Sequence, residues 1–378
     1  MKRLTHFLLV LLLLVIVAYT KPIVFQSEIK DKTERPTTPV VQSHQKFVQG
    51  KLPASGMANY IGVSTQELIK QYGEPKTMHR QNDTDQWWFY GETHRDYFQV
   101  YVRNNQVESI FVLGDELGLA PFEIGQSLNE VSEISTIYSN FSFVFNNQTY
   151  VMELSEKDMN YQPLMAFDNN VFVILHMSKE TGEVVGLRYL SQQMLLELQP
   201  YQLLEGNLVI RPAEQTSTPE SDEQNRQQLL AIINIVRSRL NLAPLSRVQE
   251  TDEVAERLLK EFIERPEAYL EDSRLEDKQI AQQFDTYDHA FYLKKEELQQ
   301  LFKKESLEET AGVLYSPTHD IPYMVMNWYS DLLHLLPINR SEKAFVGIDF
   351  EEDTILLLLM NHEMRKTSET LTNEKDER

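Results

Sequence analysis

The sequence contains no cysteine. That absence excludes disulfides, thiolate zinc sites, cysteine-ligated iron–sulfur clusters and cysteine nucleophiles. An exported chain of this kind must hold its fold without the staples that small secreted animal modules use. Glycine (13) and proline (15) are too few among 378 residues for a collagen-like chain, and 42% apolar residues are too many for a wholly disordered one. Positive charge is scarce as well: 36 Lys and Arg face 57 Asp and Glu, a formal net charge of −21. Most of such a surface repels a phosphate backbone, so no nucleic-acid partner is expected. Catalytic signatures are missing too. There is no G-x-S-x-G, no H-E-x-x-H, no Walker loop and no G-x-G-x-x-G.

What is present begins with Lys2 and Arg3, followed by an unbroken apolar run from Phe7 to Tyr19. At 1.5 Å per residue the run covers about 20 Å, against a hydrocarbon core of about 30 Å. Extending it from Leu4 to Thr20 gives just enough for a short span. No clean A-x-A cleavage site follows Ala18, so residues 1–26 are expected to be an uncleaved N-terminal anchor, with a cleaved signal as the alternative. Both readings leave the basic end inside and the bulk of the chain extracytoplasmic. The corresponding localisation is the cell membrane, single-pass; the alternative is secreted.

The length suits two domains plus extras. Residues 27–55, polar and punctuated by Pro36, Pro39 and Pro53, read as a stalk. Residues 56–205 form a first domain and residues 206–225, with Pro212 and Pro219, a linker. Residues 226–362 form a second domain and residues 363–378 a polar tail. The first domain carries an internal repeat. Ile61-Gly62-Val63-Ser64 with Glu67 recurs as Ile124-Gly125-Gln126-Ser127 with Glu130. Each copy places Ser three residues before Glu, the capping box of a helix start. Strand-like runs follow both, joined by Asn104-Asn105, Asn146-Asn147 and Asn169-Asn170, since Asn tolerates positive φ. The fold class is α+β, with an N-terminal duplicated helix-plus-antiparallel-sheet domain. In the second domain, helical stripes are expected over Leu229–Leu240, from about Asp252, and over Tyr323–Leu336. A hairpin is expected from Ala344–Phe350 and Thr354–Met360.

The candidate site lies on the third of those helices. At helical spacing Asn327, Asp331 and His334 share one face and offer an amide, a carboxylate and an imidazole. Trp328 and Ser330 complete the candidate binding cleft. His289, His319, His334 and His362 have no ligand spacing among themselves, so neither a metal nor another cofactor is expected. Asp288-His289 and His319-Asp320 are sequence neighbours, which seldom face each other. Trp87-Trp88 reads as core rather than as a sugar platform.

The second domain resembles the CAP superfamily (cysteine-rich secretory protein, antigen 5 and pathogenesis-related 1), in its bacterial, cysteine-free form. The resemblance runs from about Asn225 to His362. Asn234, Arg237, Leu242, Pro244 and Leu245 are similar to the family's N-x-x-R-x-x-x-x-L-x-P-L start. Trp328, Ser330 and His334 resemble its W-x-x-S-x-x-H helix, with the serine one position early. Val346-Gly347-Ile348 resembles the strand that follows. Residues 56–205 resemble the CAP-associated N-terminal domain of Gram-positive proteins.

The resemblance implies an α-β-α sandwich for the second domain and a cleft with two His and two acidic residues. Of these only His334 matches. The early histidine falls near Leu270, and the glutamate of A-G-E-N-I falls at Val313 in Ala311-Gly312-Val313-Leu314-Tyr315. Glu308 or Glu309 could substitute only after a shift of about four residues. The expected function is a non-catalytic binding module for an envelope component or an extracellular protein. The alternative is a cell-wall or peptide hydrolase using His334 with Glu308 or Glu309.

Overall fold

Two serine-capped helices organise the first half. In α1 (Thr65–Tyr72) the Glu67 N–H donates to Ser64 Oγ and Glu67 Oε2 accepts from the Ser64 N–H, both at 3.3 Å. In α2 (Leu128–Ile134) Ser127 and Glu130 repeat the exchange at 3.3 and 2.8 Å. Gly62 and Gly125, just upstream, both have positive φ (82° and 91°), a conformation glycine adopts without strain. Their N–H groups donate to Val107 O at 2.7 Å and Val184 O at 2.8 Å. The structure, a computed structural model, describes residues 49–207, 209, 218–307 and 310–362, all within one unit spanning Lys46–Arg378. The expected anchor, most of the stalk and the polar tail lie outside the described residues. No helix among the described residues is long and apolar enough to cross a membrane.

After α1 come β1 (Thr77–Arg80), β2 (Asp85–Tyr90), β3 (Phe98–Arg103) and β4 (Gln106–Val112). After α2 come β5 (Asn140–Phe145), β6 (Gln148–Glu153), α3 (Glu156–Tyr161), β7 (Leu164–Ala166), β8 (Phe172–Met177), β9 (Val184–Leu190), α4 (Gln192–Leu198) and β10 (Gln202–Glu205). Seven strands form one antiparallel sheet in the order β1-β2-β3-β4-β9-β8-β7, and β10-β6-β5 form a second. Asn104, Asn105, Asn146, Asn147 and Asn170 have positive φ at their turns. The stalk ends earlier than expected: Leu52 donates to Ala166 O at 2.9 Å and the Ala54 N–H to Asp168 Oδ1 at 2.9 Å, so residues 52–54 are docked on the first domain.

The large sheet is buried on both faces. Trp88, Tyr90, Val100, Val173 and Leu175 join one core with α1 and α2. Trp87, Phe89, Tyr101, Phe172 and Ile174 join a second core on the other side. Double burial explains why Trp87-Trp88-Phe89-Tyr90 shows no polar alternation.

The linker is shorter at its C-terminal end than the expected 206–225, because α5 runs Pro219–Arg239. Pro219 occupies the first turn, where its missing N–H costs nothing. Thr218 Oγ1 accepts from the Ser221 N–H at 3.1 Å. There follow β11 (Ser246–Arg247), α6 (Gln249–Glu264), α7 (Asp272–Phe284), β12 (Phe291–Tyr292), α8 (Lys295–Phe302), β13 (Ala311–Ser316), α9 (Ile321–Tyr329), α10 (Leu332–Ile338), β14 (Phe345–Glu351) and β15 (Thr354–Met360). The sheet order is β11-β14-β15-β13-β12. On one face Val254, Leu258 and Phe262 of α6 and Leu298 and Phe302 of α8 pack on Leu314, Leu356 and Leu358. On the other, α5, α9 and α10 pack on Val313, Ile348 and Leu357. This is an α-β-α sandwich.

The second core does not stop at the domain boundary. Phe111, Phe172 and Ile174 of the first sheet share it with Ile233, Ile321, Tyr323 and Met326 of the second domain. Polar bonds line the same seam. Gln228 Nε2 donates to Gln99 Oε1 at 2.6 Å, Arg239 donates to the carbonyls of Val185 and Leu113, and Arg188 pairs with Asp320 at 2.9 Å.

Candidate functional site

The expected single helix over Tyr323–Leu336 is broken. Asp331 is extended (φ −135°, ψ 121°) and caps α10, its Oδ1 accepting from the Leu333 N–H at 2.9 Å. Ser330 Oγ donates to Asn327 O at 2.7 Å and closes α9. A carboxylate two residues before a free helical N–H stabilises a new N-terminus more than it stabilises a continuing helix. The i, i+4, i+7 geometry of Asn327, Asp331 and His334 is therefore absent.

Each candidate residue has an internal role. Trp328 is fully buried and Ser330 is 1% exposed, so both belong to the core rather than to a cleft wall. Asn327 is held at both ends of its amide. Oδ1 accepts from Gln162 Nε2 at 2.6 Å and Nδ2 donates to the Tyr315 hydroxyl at 3.1 Å. Gln162 comes from the first domain. It also accepts the Tyr323 hydroxyl at Oε1 (2.6 Å), and its carbonyl accepts the Tyr201 hydroxyl (2.6 Å). His334 is 4% exposed and lies edge-on to Tyr292 and Tyr315, at centroid distances of 4.8 and 5.7 Å. Neither ring nitrogen has a hydrogen-bond partner. Burial, helped by the Lys157 ammonium and opposed by Asp331, pushes its pKa down to about 4, so the ring is neutral at physiological pH.

Leu270, near which the resemblance sets the early histidine, and Val313, where it sets the glutamate, are both buried and apolar. Glu308 and Glu309 lie outside the described residues. Among the described residues, no group of three or more His, Asp or Glu could hold a metal ion. His289 stacks on Phe284 at 4.3 Å and His319 lies edge-on to Tyr287 at 4.8 Å, whereas His334's ring partners are Tyr292 and Tyr315.

Open space is found at the seam instead. A cavity of about 530 Å³ lies between the first sheet, α4 and the N-terminal half of α5. Trp87, Tyr101 and Arg103 form one wall, and Asn225, Gln228 and Asp320 another. Arg103 is held between two carboxylates, Asp85 at 3.2 Å and Glu197 at 2.8 Å, with both acids nearly buried. The Tyr101 hydroxyl donates to Asp85 Oδ2 at 2.8 Å, and against burial that bond, those to Thr84 and Asn82 and the charge of Arg103 lower the pKa of Asp85. A second, open cavity of about 500 Å³ is lined by Arg226, Arg247, Asp252 and Asp349. Its charges pair with one another and tie α5, α6 and β14 together.

Residues 61–201 match the model of the CAP-associated N-terminal family. The fold over most of the chain is that of a cysteine-rich secretory protein from Staphylococcus aureus (TM-score 0.67, 19% identity, 83% of this chain and 95% of that one). An extracellular protein containing a SCP domain from Bacillus anthracis is similar (TM-score 0.62, 21% identity, 84% and 99%). The chain carries a CAP-associated N-terminal domain joined to a domain of CAP fold. A Bacillus subtilis (strain 168) relative, named as the uncharacterized membrane protein YlbC, is 28% identical over 252 residues, 65% of this chain and 72% of the relative.

Placing the CAP-associated domain beside the CAP fold shows what the sequence left unseen. Gln162, which ties Asn327 and Tyr323 across the seam, is 3% exposed. It ends α3, a helix whose capping box, Ser155 with Asp158, was a readable signal. Tyr292 and Tyr315, which cage His334, and Arg188, which crosses to Asp320, carry no local signature. Only the tertiary fold brings them together.

Proposed function

We propose that this chain is a non-catalytic, extracytoplasmic binding module, anchored by its N-terminal segment, that takes an envelope component or a protein partner at the seam cavity. The observation that carries this reading is the state of His334. Of the two His and two acidic residues that the resemblance implies for the cleft it is the one match, and it is buried, neutral and unpaired, while Val313 stands where the resemblance implies an acid. General acid–base catalysis needs a partner within about 3 Å, and the neighbouring Asp331 carboxylate is engaged in capping. The names of the similar proteins, one a membrane protein and one an extracellular protein, support the placement outside the cytoplasm. A cavity of about 530 Å³ falls within the usual 300–1,000 Å³ of ligand sites.

The test uses the soluble 46–378 unit, cross-linked to isolated envelopes, beside Asn225→Trp and His334→Ala. Asn225 lines the cavity on α5, so an indole there fills it. Capture should be lost with Asn225→Trp and kept with His334→Ala. Release of soluble peptide or glycan fragments from cell walls, abolished by His334→Ala, would establish the hydrolase instead.

A further inference from the structure

The strands of the large sheet send alternate side chains to the seam, and on β8 and β9 those include His176 and Arg188. His176 is 1% exposed, and neither ring nitrogen has a hydrogen-bond partner. It is faced by Phe111 from β4 at 6.4 Å, by Tyr323 from α9 at 5.6 Å and by the Arg188 guanidinium from β9. Arg188, fully buried, stacks on Trp87 at 4.7 Å and donates to Asp320 at the N-cap of α9. Its Nε and Nη1 have no partner. His334 repeats the situation on the other side of the seam. Tyr292 of β12 and Tyr315 of β13 enclose it, Asp331 stands at its own helix's N-cap, and Lys157 of α3 approaches from the CAP-associated domain. Behind Tyr292, Arg274 is paired with Glu297 at 2.9 Å.

Two imidazoles with all four nitrogens unpaired are unusual in a folded core, where buried polar groups are nearly always bonded. Each is tolerated because it is neutral. At His176 the Arg188 guanidinium is the charged neighbour, so a proton added there places a second positive charge in a dry site; at His334 burial is the dominant cost, opposed by Asp331 and reinforced more weakly by Lys157. We propose that the seam between the CAP-associated domain and the CAP fold is an acid-sensitive joint, held shut by neutral His176 and His334 and opened when they take up protons.

The sign follows from linkage. Burial lowers the pKa from 6.5 to about 3 for His176 and about 4 for His334, so the open form binds more protons than the closed one below pH 6.5. Moving from pH 7.5 to 4.5 then favours opening by on the order of 50–100-fold for each histidine freed. Asp158, on α3, works in the opposite sense. Its carboxyl is raised by burial and by Asp288 across the seam, so its protonation favours closure.

Because the chain lacks cysteine, two introduced thiols can be labelled uniquely. Lys70→Cys on α1 and Gln283→Cys on α7 are exposed positions on opposite sides of the seam. With spin labels on the 46–378 unit, the inter-label distance should be single at pH 7.5 and gain a longer population at pH 4.5, with far-ultraviolet circular dichroism unchanged. His176→Leu with His334→Leu places apolar groups of similar size in apolar cages. It should abolish the longer population, and acid should then tighten the seam through Asp158. Single His→Gln variants serve if the double variant does not fold. Three results would overturn the proposal: an unchanged distance in the wild type at pH 4.5, a longer population that persists in the histidine variants, or its appearance only together with loss of helical signal. Imidazole proton resonances that titrate near pH 6.5 without any distance change would do the same.

Discussion

Arg188 shows how much one residue commits this fold to its seam. Its guanidinium is fully buried, with one ion pair to Asp320 and one aromatic face, Trp87. Asp320 is tied in turn. Oδ1 accepts from the Tyr323 N–H at 2.8 Å, and its backbone exchanges bonds with the Tyr287 hydroxyl at 2.9 and 3.0 Å. Removing one partner of a buried pair leaves an uncompensated charge, which typically costs about 3–5 kcal/mol. Asp320→Ala should therefore destabilise the 46–378 unit by about that much in urea unfolding. Arg188→Met combined with Asp320→Ala should cost less than Asp320→Ala alone, because a buried pair replaced by apolar groups can be nearly neutral. A double variant no more stable than the single one would show that the cap and the Tyr287 bonds, rather than the charge, carry the cost. Neither residue was legible as a pair in the sequence. Arg188 sits in a strand and Asp320 before a helix, 132 positions apart, and only the topology brings them together.

At the scale of elements, local chemistry was the readable part. The capping boxes at Ser64 and Ser127, the Asn-Asn turns and the β14–β15 hairpin are all set by a few adjacent residues, and each forms where its pattern stands. The break between α9 and α10 was hidden for a related reason. Trp328, Leu332 and Leu335 keep a helical apolar rhythm across the break, so periodicity alone favours one helix. The signal for two helices was Asp331 itself, a good N-cap residue followed by an apolar run. Thr218-Pro219 follows the same logic: proline there opens a helix rather than extending a linker. Asp331→Ala tests the weight of this cap. It should cost about 0.5–2 kcal/mol in unfolding free energy, since a helix N-cap contributes that much. It should also move the His334 imidazole resonances, because α10 carries that ring against Tyr292. A variant with full stability and unmoved resonances would mean that packing alone fixes the break.

For the whole molecule, the sequence presents two domains and a linker, while residues 46–378 form one compact unit whose two halves share one hydrophobic core. Shared burial is a property of pairs of distant residues, and no window of sequence displays it. Ile233, Ile321, Tyr323 and Met326 look like ordinary stripe residues of a self-sufficient CAP fold. Their partners include Phe111, Phe172 and Ile174 of the CAP-associated domain. The joint is further fixed by Gln162 to Asn327 and Tyr323, by Gln228 to Gln99 and by Arg188 to Asp320, all buried or nearly so. Ordinary inter-domain contacts within a chain are more polar and leave relative motion as the default. Here the apolar contact argues for a joint that survives without the covalent connection. A protease site introduced between Ile210 and Ser217 would sever the chain between the two halves. At pH 7.5 the nicked 46–378 unit should elute from size exclusion as one species of unchanged volume. It should melt in a single transition, a few degrees below the intact chain, since cutting the connection adds a loop-closure entropy cost to holding the halves together. Two separate peaks, or two separate melting transitions, would show halves that stand alone and a seam too weak to matter. At pH 4.5 the nick becomes a second assay of the histidines: wild-type halves should separate where His176→Leu with His334→Leu keeps them together.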